Sequence, residues 1–242
     1  MSGAATAYAI PNKLHEYVHE DRGIPLGYWN ANGAGFTKFA GESFVDELAA
    51  RLGKDPLALR LELIGKGRGR LALETVAEMA QWSRKRSGRG LGLAYYDGGE
   101  WACECAQVSE VSVDRATGAI TVHKIWAAVD PGIAVQPAHL AQQVETGIVW
   151  GLGAALRERI TVKSGVVQQS NFHDYLVTRM SELPEIEVRL VSSGERISGG
   201  GQIGVAPVAP AIANAVFAAS GARVRALPML PDRVLAALRG AA

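Results

Sequence analysis

The sequence lacks most of the features that assign a chemistry by themselves. Among 242 residues there are two cysteines, Cys103 and Cys105. An iron–sulfur cluster takes four protein ligands, and two thiolates do not close a tetrahedral zinc site, so the cysteines alone build neither. Neighbouring same-face strand positions lie about 6.6–7 Å apart, at the edge of disulfide reach. Two ordinary strand cysteines in a reducing compartment are therefore expected. An excess of charge is missing too: 25 Lys and Arg stand against 24 Asp and Glu, for a net charge of +1. That leaves no broad field to attract nucleic acid or an anionic membrane. No apolar run is long enough for a bilayer span, and Met1–Thr37 shows no signal-peptide pattern. The expectations are no nucleic-acid partner, no membrane insertion and a cytoplasmic location. His15, His19, His123, His139 and His173 form no HExxH spacing, and neither a GxSxG elbow nor a P-loop occurs. His15 and His19 are four apart, but they sit close to prolines, which disfavour the helix that a metal pair there needs.

What is present is an ordinary globular pattern. Apolar residues make up 48% and charged residues 20%, enough for one large domain or two small ones. Tyr8-Ala-Ile-Pro11 and Ile24-Pro25 indicate an extended N-terminal arm over the first 25 residues. The Gly- and Asn-rich stretch Gly27–Gly35 reads as a loop. Helical periodicity follows over Glu42–Leu52, with Phe44, Leu48 and Leu52 on one inward stripe. Asp55-Pro56 supplies an N-cap and a first-turn proline for a helix running to Ile64, and Leu71–Trp82 predicts a third. The basic, Gly-rich run Ser83–Gly92 reads as a linker, dividing the chain into an N-terminal region, residues 1–82, and a C-terminal region, residues 93–242.

Beyond it the pattern turns to strands. Gln107–Asp114 and Ala119–Val129 flank the hairpin connection Arg115–Gly118. A helix is predicted over Ala138–Leu156, a hairpin around Ser164-Gly165 within Ile160–Gln169, and a half-buried strand over Glu185–Leu190. A last helix spans Val208–Ser220. Helices and hairpins alternate without a regular βαβ repeat, so the fold class is α+β. One local sequence is unusual: Ser198-Gly-Gly-Gly-Gln-Ile-Gly204 directly before that helix. Successive glycines expose backbone N–H groups and let another group approach closely. Such a stretch is either a flexible turn or a cradle for an anion or cofactor.

Five segments, in this order, resemble one family. They are Gly27-Tyr-Trp-Asn-Ala-Asn-Gly33 with Glu42–Leu48; Ala128-Val-Asp-Pro-Gly132 with Pro137 and Gln143-Val-Glu-Thr-Gly147; Gln169–Tyr175; Met180–Pro184; and Gly200-Gly-Gln-Ile-Gly204 with Pro207, Pro210 and Asn214. Together they are similar to the C-terminal part of the molybdopterin-binding subunit of xanthine-dehydrogenase-type hydroxylases, most like the isoquinoline 1-oxidoreductase β-subunit group. The resemblance implies a C-terminal molybdopterin-binding domain of mixed helices and β-hairpins. It implies molybdenum on molybdopterin, in the cytosine dinucleotide form, and a small N-heteroaromatic or aldehyde-like substrate. It also implies 2Fe-2S clusters on a partner iron–sulfur subunit. By the same resemblance Gln143, Gly200 and Gly201 hold the pterin, Asn30 lies in the loop beside the metal, and Gln202 occupies the position of the catalytic glutamate.

Three departures from the family pattern shape the expected chemistry. Gln202 has no titratable carboxylate and cannot serve as the general base, a role typically worth about 10²–10⁴-fold in rate. Asn30 stands where arginine is usual, which removes a fixed cation. The N-terminal half of such a subunit is absent, as in a natural split subunit, with a second molybdopterin-binding chain expected to supply it, or in a truncated chain. The resulting expectation is a split oxidoreductase subunit with altered chemistry. Its alternatives are an inert structural subunit, or a normal hydroxylase whose base lies elsewhere, at Asp174 or Glu195.

Overall fold

The computed structural model describes residues 4, 6–21, 23–24, 27–99 and 103–240; Pro25 of the expected arm, and Trp101 and Ala102 before the cysteines, lie outside the described residues. The arm is extended and largely exposed, as its prolines predict, apart from Tyr8, which is buried. Three helices follow: α1 (Ala34–Arg51), α2 (Pro56–Ile64) and α3 (Arg68–Met79). Asp55 caps α2 as expected, its carboxylate accepting from Leu57 N and Ala58 N at 2.9 Å each.

Helix α1 differs from its reading in both extent and facing. It begins eight residues earlier, immediately after the Gly/Asn loop. Phe44 and Leu52, expected inside, are exposed, while Lys38, Glu42, Ser43 and Asp46 are buried. Apolar spacing gave the wrong face because the inward stripe is held by charge and hydrogen bonding, which hydropathy does not register.

The strands are β1 (Gly90–Tyr96), β2 (Glu104–Val113) and β3 (Ile120–Asp130), followed by α4 (Pro137–Leu156), the short hairpin β4 (Val162–Lys163) and β5 (Val166–Val167), and β6 (Glu185–Leu190). The main sheet has the order β1-β2-β3-β6, antiparallel except for the parallel pair β3/β6. A parallel neighbour requires a crossover connection, and α4 with its hairpin provides it. The hairpins at Arg115–Gly118 and Ser164-Gly165 form where expected. The expected linker, in contrast, ends inside a strand, since Gly90, Leu91 and Gly92 belong to β1. Its glycines serve packing: a Cβ at Gly92 would collide with the backbone of Ala211 and Ala215. They let α5 (Val208–Ser220) lie directly on β1. A sixth helix, α6 (Pro231–Gly240), has no counterpart in the sequence reading; it buries Val234 and Leu238.

Side chains alternate across the sheet with the strand period of two. Leu93, Tyr95, Ala106, Val108, Trp126 and Ala128 meet Leu73, Val76 and Ala80 of the α3 segment on one face. Cys105, Ile125, Ala127 and Val129 meet Ile148, Leu152, Ile212 and Val216 of α4 and α5 on the other. The architecture is α+β. Both cysteines are free and buried. Burial pushes the Cys103 thiol up to about 12 and raises Cys105 further, which leaves both protonated and unreactive near neutral pH.

Candidate functional site

The site is built from two loops that are 171 residues apart in sequence and meet at one hydrogen bond. The first is Trp29–Gly33, which feeds α1. Its shape is fixed locally: Asn32 N donates to Trp29 O at 2.9 Å and Ala34 N to Ala31 O at 2.8 Å. Ala31 and Asn32 both have positive φ, 61° and 46°, the left-handed region that asparagine enters readily and alanine at a cost.

Helix α1 itself is held from below. Glu42 Oε2 accepts from Arg60 Nε at 3.0 Å, Tyr95 N at 3.1 Å and Tyr8 Oη at 3.2 Å. Arg60 also donates from Nη2 to Glu42 O at 3.0 Å and from Nη1 to Pro56 O at 3.1 Å. One turn further on, Asp46 receives Arg223 at 2.6 Å, and Arg223 in turn donates to Asn214 Oδ1 at 3.1 Å. Asn214 closes the junction by donating to Leu93 O at 3.0 Å. Arg60 is fully buried and Glu42, Asp46 and Asn214 nearly so; each charge is matched and hydrogen-bonded, which is the condition for burying it. Burial raises the Asp46 carboxyl pKa, while Arg60 and Arg223 oppose the rise. The network ties α1, α2, α5, β1 and the arm together and fixes the rotation of α1 about its axis.

The second loop is Ser198–Gly204. It is held at its start by Asp130, whose side chain is fully buried at the end of β3. Asp130 accepts from Gly132 N at 2.7 Å and Ser193 Oγ at 3.0 Å, and Arg68 spans its Oδ2 at 3.2 Å and its carbonyl at 2.7 Å. Ser198 bonds Pro131 O through both N (2.9 Å) and Oγ (2.8 Å). At the other end Gln107, buried in β2, donates to Gly204 O at 2.8 Å. A Cβ at Gly204 would press to 2.5 Å from Val144 O, so glycine lets the loop lie on α4.

Between these anchors the residues singled out from the sequence come together. Gln143 Nε2, on the exposed side of α4, donates to Gly201 O at 2.5 Å. Gln202 Oε1 accepts from Ala31 N at 2.5 Å. Asn30 precedes that N–H and is half-buried. Added bulk at Gly200 would meet Leu140, whereas nothing lies within 4 Å of a Cβ built on Gly201. The result is an exposed ledge of neutral amides and glycine backbone, open above Gly201. It can hold a flat group with hydrogen-bonding edges; the amide of Gln202 cannot take a proton.

The two alternative bases do not join the ledge by any bond among the described residues. Asp174 accepts from Ser170 N, Ser170 Oγ and Asn171 N. Those backbone donors hold its carboxyl at about 2, which makes it a poor base. Glu195 is exposed in the segment after β6. Among the described residues no group of three or more His, Cys, Asp or Glu could hold a metal ion, and no helix is long and apolar enough to cross a membrane. Sequence reasoning missed the supports: Glu42, Arg60, Asp130, Arg68 and Gln107. A buried charge has no signature in hydropathy; the nearest signals were Glu42, which opens the Glu42–Leu48 segment, and Asp130-Pro-Gly132, both already noted within motifs.

The molybdopterin cofactor-binding domain model matches residues 47–184. The chain is 39% identical to isoquinoline 1-oxidoreductase subunit beta of Brevundimonas diminuta over 95% of its length and 30% of that protein. It is 31% identical to membrane-bound aldehyde dehydrogenase [pyrroloquinoline-quinone] of Gluconacetobacter polyoxogenes over 98% of its length and 32% of that protein. The chain thus spans about a third of the length of these relatives. Quinoline 2-oxidoreductase from Pseudomonas putida 86 shares the fold, with a TM-score of 0.80 at 13% identity, over 90% of this chain and 54% of that one.

Proposed function

Because the chain belongs to the molybdopterin cofactor-binding domain family, we propose that it forms one part of a split molybdenum-cofactor-binding oxidoreductase subunit, acting on an N-heteroaromatic or aldehyde-like substrate with chemistry altered at Gln202. The observation that carries this reading is the bond from Ala31 N to Gln202 Oε1, which joins the Asn30 loop to the glycine loop beside Gln143. Pterin, in its cytosine dinucleotide form, fits the ledge: Gln143 and the glycine backbone offer donors and acceptors to a flat polar edge, and the space over Gly201 is open. Molybdenum would be carried by the pterin's own sulfurs. When bound, the group supplies two-electron oxidation of the substrate with oxygen from water.

Gln202 has a different task from a carboxylate. Its amide oxygen is committed to Ala31, so it acts as a strut between the two loops and leaves Nε2 to donate toward a ligand. No proton is taken there. Loss of a general base costs about 10²–10⁴-fold, so ordinary hydroxylation by this site is weak. Since the chain covers about a third of its relatives, the remaining pterin contacts come from other polypeptide, and 2Fe-2S clusters from an iron–sulfur partner. A one-sided site loses those preorganised contacts and binds poorly.

Expression of the chain alone, followed by molybdenum, pterin and quinone assays, tests this. The expected result is little molybdenum, with pterin and molybdenum appearing when the chain is purified with its native partners. Stoichiometric molybdopterin in the isolated monomer would overturn the split-site reading. Pyrroloquinoline quinone without molybdenum in the native complex would overturn the cofactor.

A further inference from the structure

Helix α1 presents an unsatisfied face to solvent. Phe36, Ala40 and Phe44 follow one another at i, i+4 spacing and are all exposed, Phe36 and Phe44 at 59% and 65%. They make a stripe about 12 Å long on one side of the helix. Tyr28 and Trp29 are also exposed, in the loop that leads into α1 and borders the ledge. Gly41 lies beside the stripe with nothing within 4 Å of an added Cβ, leaving room for a second backbone to approach.

This face cannot be hidden by turning the helix. Glu42 and Asp46 point the other way into the junction with Arg60, Arg223 and Tyr8, and rotation would leave those charges buried without partners, at a prohibitive cost. A contiguous exposed stripe of large aromatics on a rigid support marks a surface meant to be covered.

We propose that the Tyr28–Phe44 face is the docking surface for the rest of the molybdopterin-binding subunit, the polypeptide corresponding to the two-thirds of its relatives' length that this chain does not span. The proposal rests on the split-site reading above and deepens it by naming the face. Two facts select that occupant. The chain covers only 30% of its isoquinoline 1-oxidoreductase relative, so a large body of protein remains to be placed. Trp29, exposed just ahead of α1, also directly precedes the Asn30–Ala31 turn bonded to Gln202, so a body that covers this end of the helix lies beside the ledge.

Photo-crosslinking tests the proposal in the native complex. Benzoylphenylalanine replaces Phe36 or Phe44, a change that keeps an aromatic side chain at an exposed position. A control carries it at Ala116, exposed in the turn between β2 and β3. The chain is expressed in the organism that makes it, irradiated and purified, and crosslinked peptides are identified by mass spectrometry. The expected result is crosslinks from positions 36 and 44, but not 116, to peptides of a separate chain matching the two-thirds of the relatives' length that this chain does not span; the same peptides within one continuous chain keep the face and overturn the split-site reading. If those peptides co-purify but crosslink only elsewhere, the face is wrong and the split-site reading stands. Crosslinks to a second copy of this chain, or to an iron–sulfur protein, also overturn the face. If no such peptides accompany the chain, both readings fail. As a second measurement, F36E/F44E should abolish co-purification while leaving the circular dichroism and Tm of the isolated chain unchanged; retention of the complex by this variant overturns the proposal.

Discussion

The junction beneath α1 and the ledge beside it are both built from polar side chains and use them in opposite ways. At the junction Glu42, Arg60, Asp46 and Asn214 are buried, charged or fully hydrogen-bonded, and matched to one another. At the ledge Gln143 and Gln202 are exposed and neutral, each holding a neighbouring loop with one end of its amide. In the first region electrostatics sets the position of secondary structure. In the second, amides leave hydrogen-bonding capacity for something else. The difference separates residues that make the fold from residues that make the site, although the two groups meet where the Trp29–Gly33 loop enters α1.

The comparison breaks first if the junction proves dispensable. Arg60→Ala leaves Glu42 buried without its cation and Asp46 with Arg223 alone, so a loss of about 3–5 kcal/mol is expected in denaturant unfolding of the isolated chain. A loss below 1 kcal/mol would mean that water reaches the junction. Gly92→Val probes the neighbouring contact, where α5 lies on β1. Overpacking there is expected to cost about 1–3 kcal/mol, read as a fall in Tm.

Changes at the ledge are expected to move stability little and function much. Gln143→Leu should shift unfolding by about 0.5–1.5 kcal/mol, the worth of one hydrogen bond, while cofactor occupancy of the native complex falls. Occupancy equal to wild type would remove Gln143 from the pterin site. Gln202→Glu keeps the acceptor for Ala31 N and should change stability by no more than about 0.5 kcal/mol. A carboxylate there restores a titratable proton acceptor, so the complete complex should gain hydroxylase activity or change its reaction. Unaltered activity with full cofactor would place Gln202 outside the chemistry. The smallest effect concerns Asp174, whose folded carboxyl titrates near 2 because backbone N–H groups favour its charged form. Its pKa is lowered on folding, so its contribution is present above the ordinary Asp value of about 3.9 and fades as pH falls toward 2. Amide NMR shifts of Ser170 and Asn171 should follow a transition in that window and none near neutral pH.

Local chemistry was legible in the residues wherever the physics is local. Asp55-Pro56 gave the start of α2, Arg115–Gly118 and Ser164-Gly165 gave the two hairpins, and apolar periodicity gave α4, α5 and β6 to within a residue or so. The glycine loop and the Gly/Asn loop were also identifiable, because unusual backbone demands leave unusual residues. The facing of α1 was not, since Phe44 and Leu52 satisfied the hydrophobic pattern that Glu42 and Asp46 then overrode through partners 18 and 177 residues away. Gly90 and Gly92 misled in the same way. A glycine that ends an element and one that lets a helix approach a strand are identical in sequence, and only the position of α5 distinguishes them.

The sequence by itself determined most of the elements, the family and the candidate residues, because capping, turn geometry and motif order depend on neighbours along the chain, though α6 and the start of α1 were not among them. Tertiary structure decided that Ala31 and Gln202 meet, that Asp130 and Gln107 hold the ends of the glycine loop, and that Phe36 and Phe44 face outward. Each of those outcomes depends on which distant groups can match a buried charge or an unpaired backbone group, and pairing of that kind is settled only when the whole chain has packed.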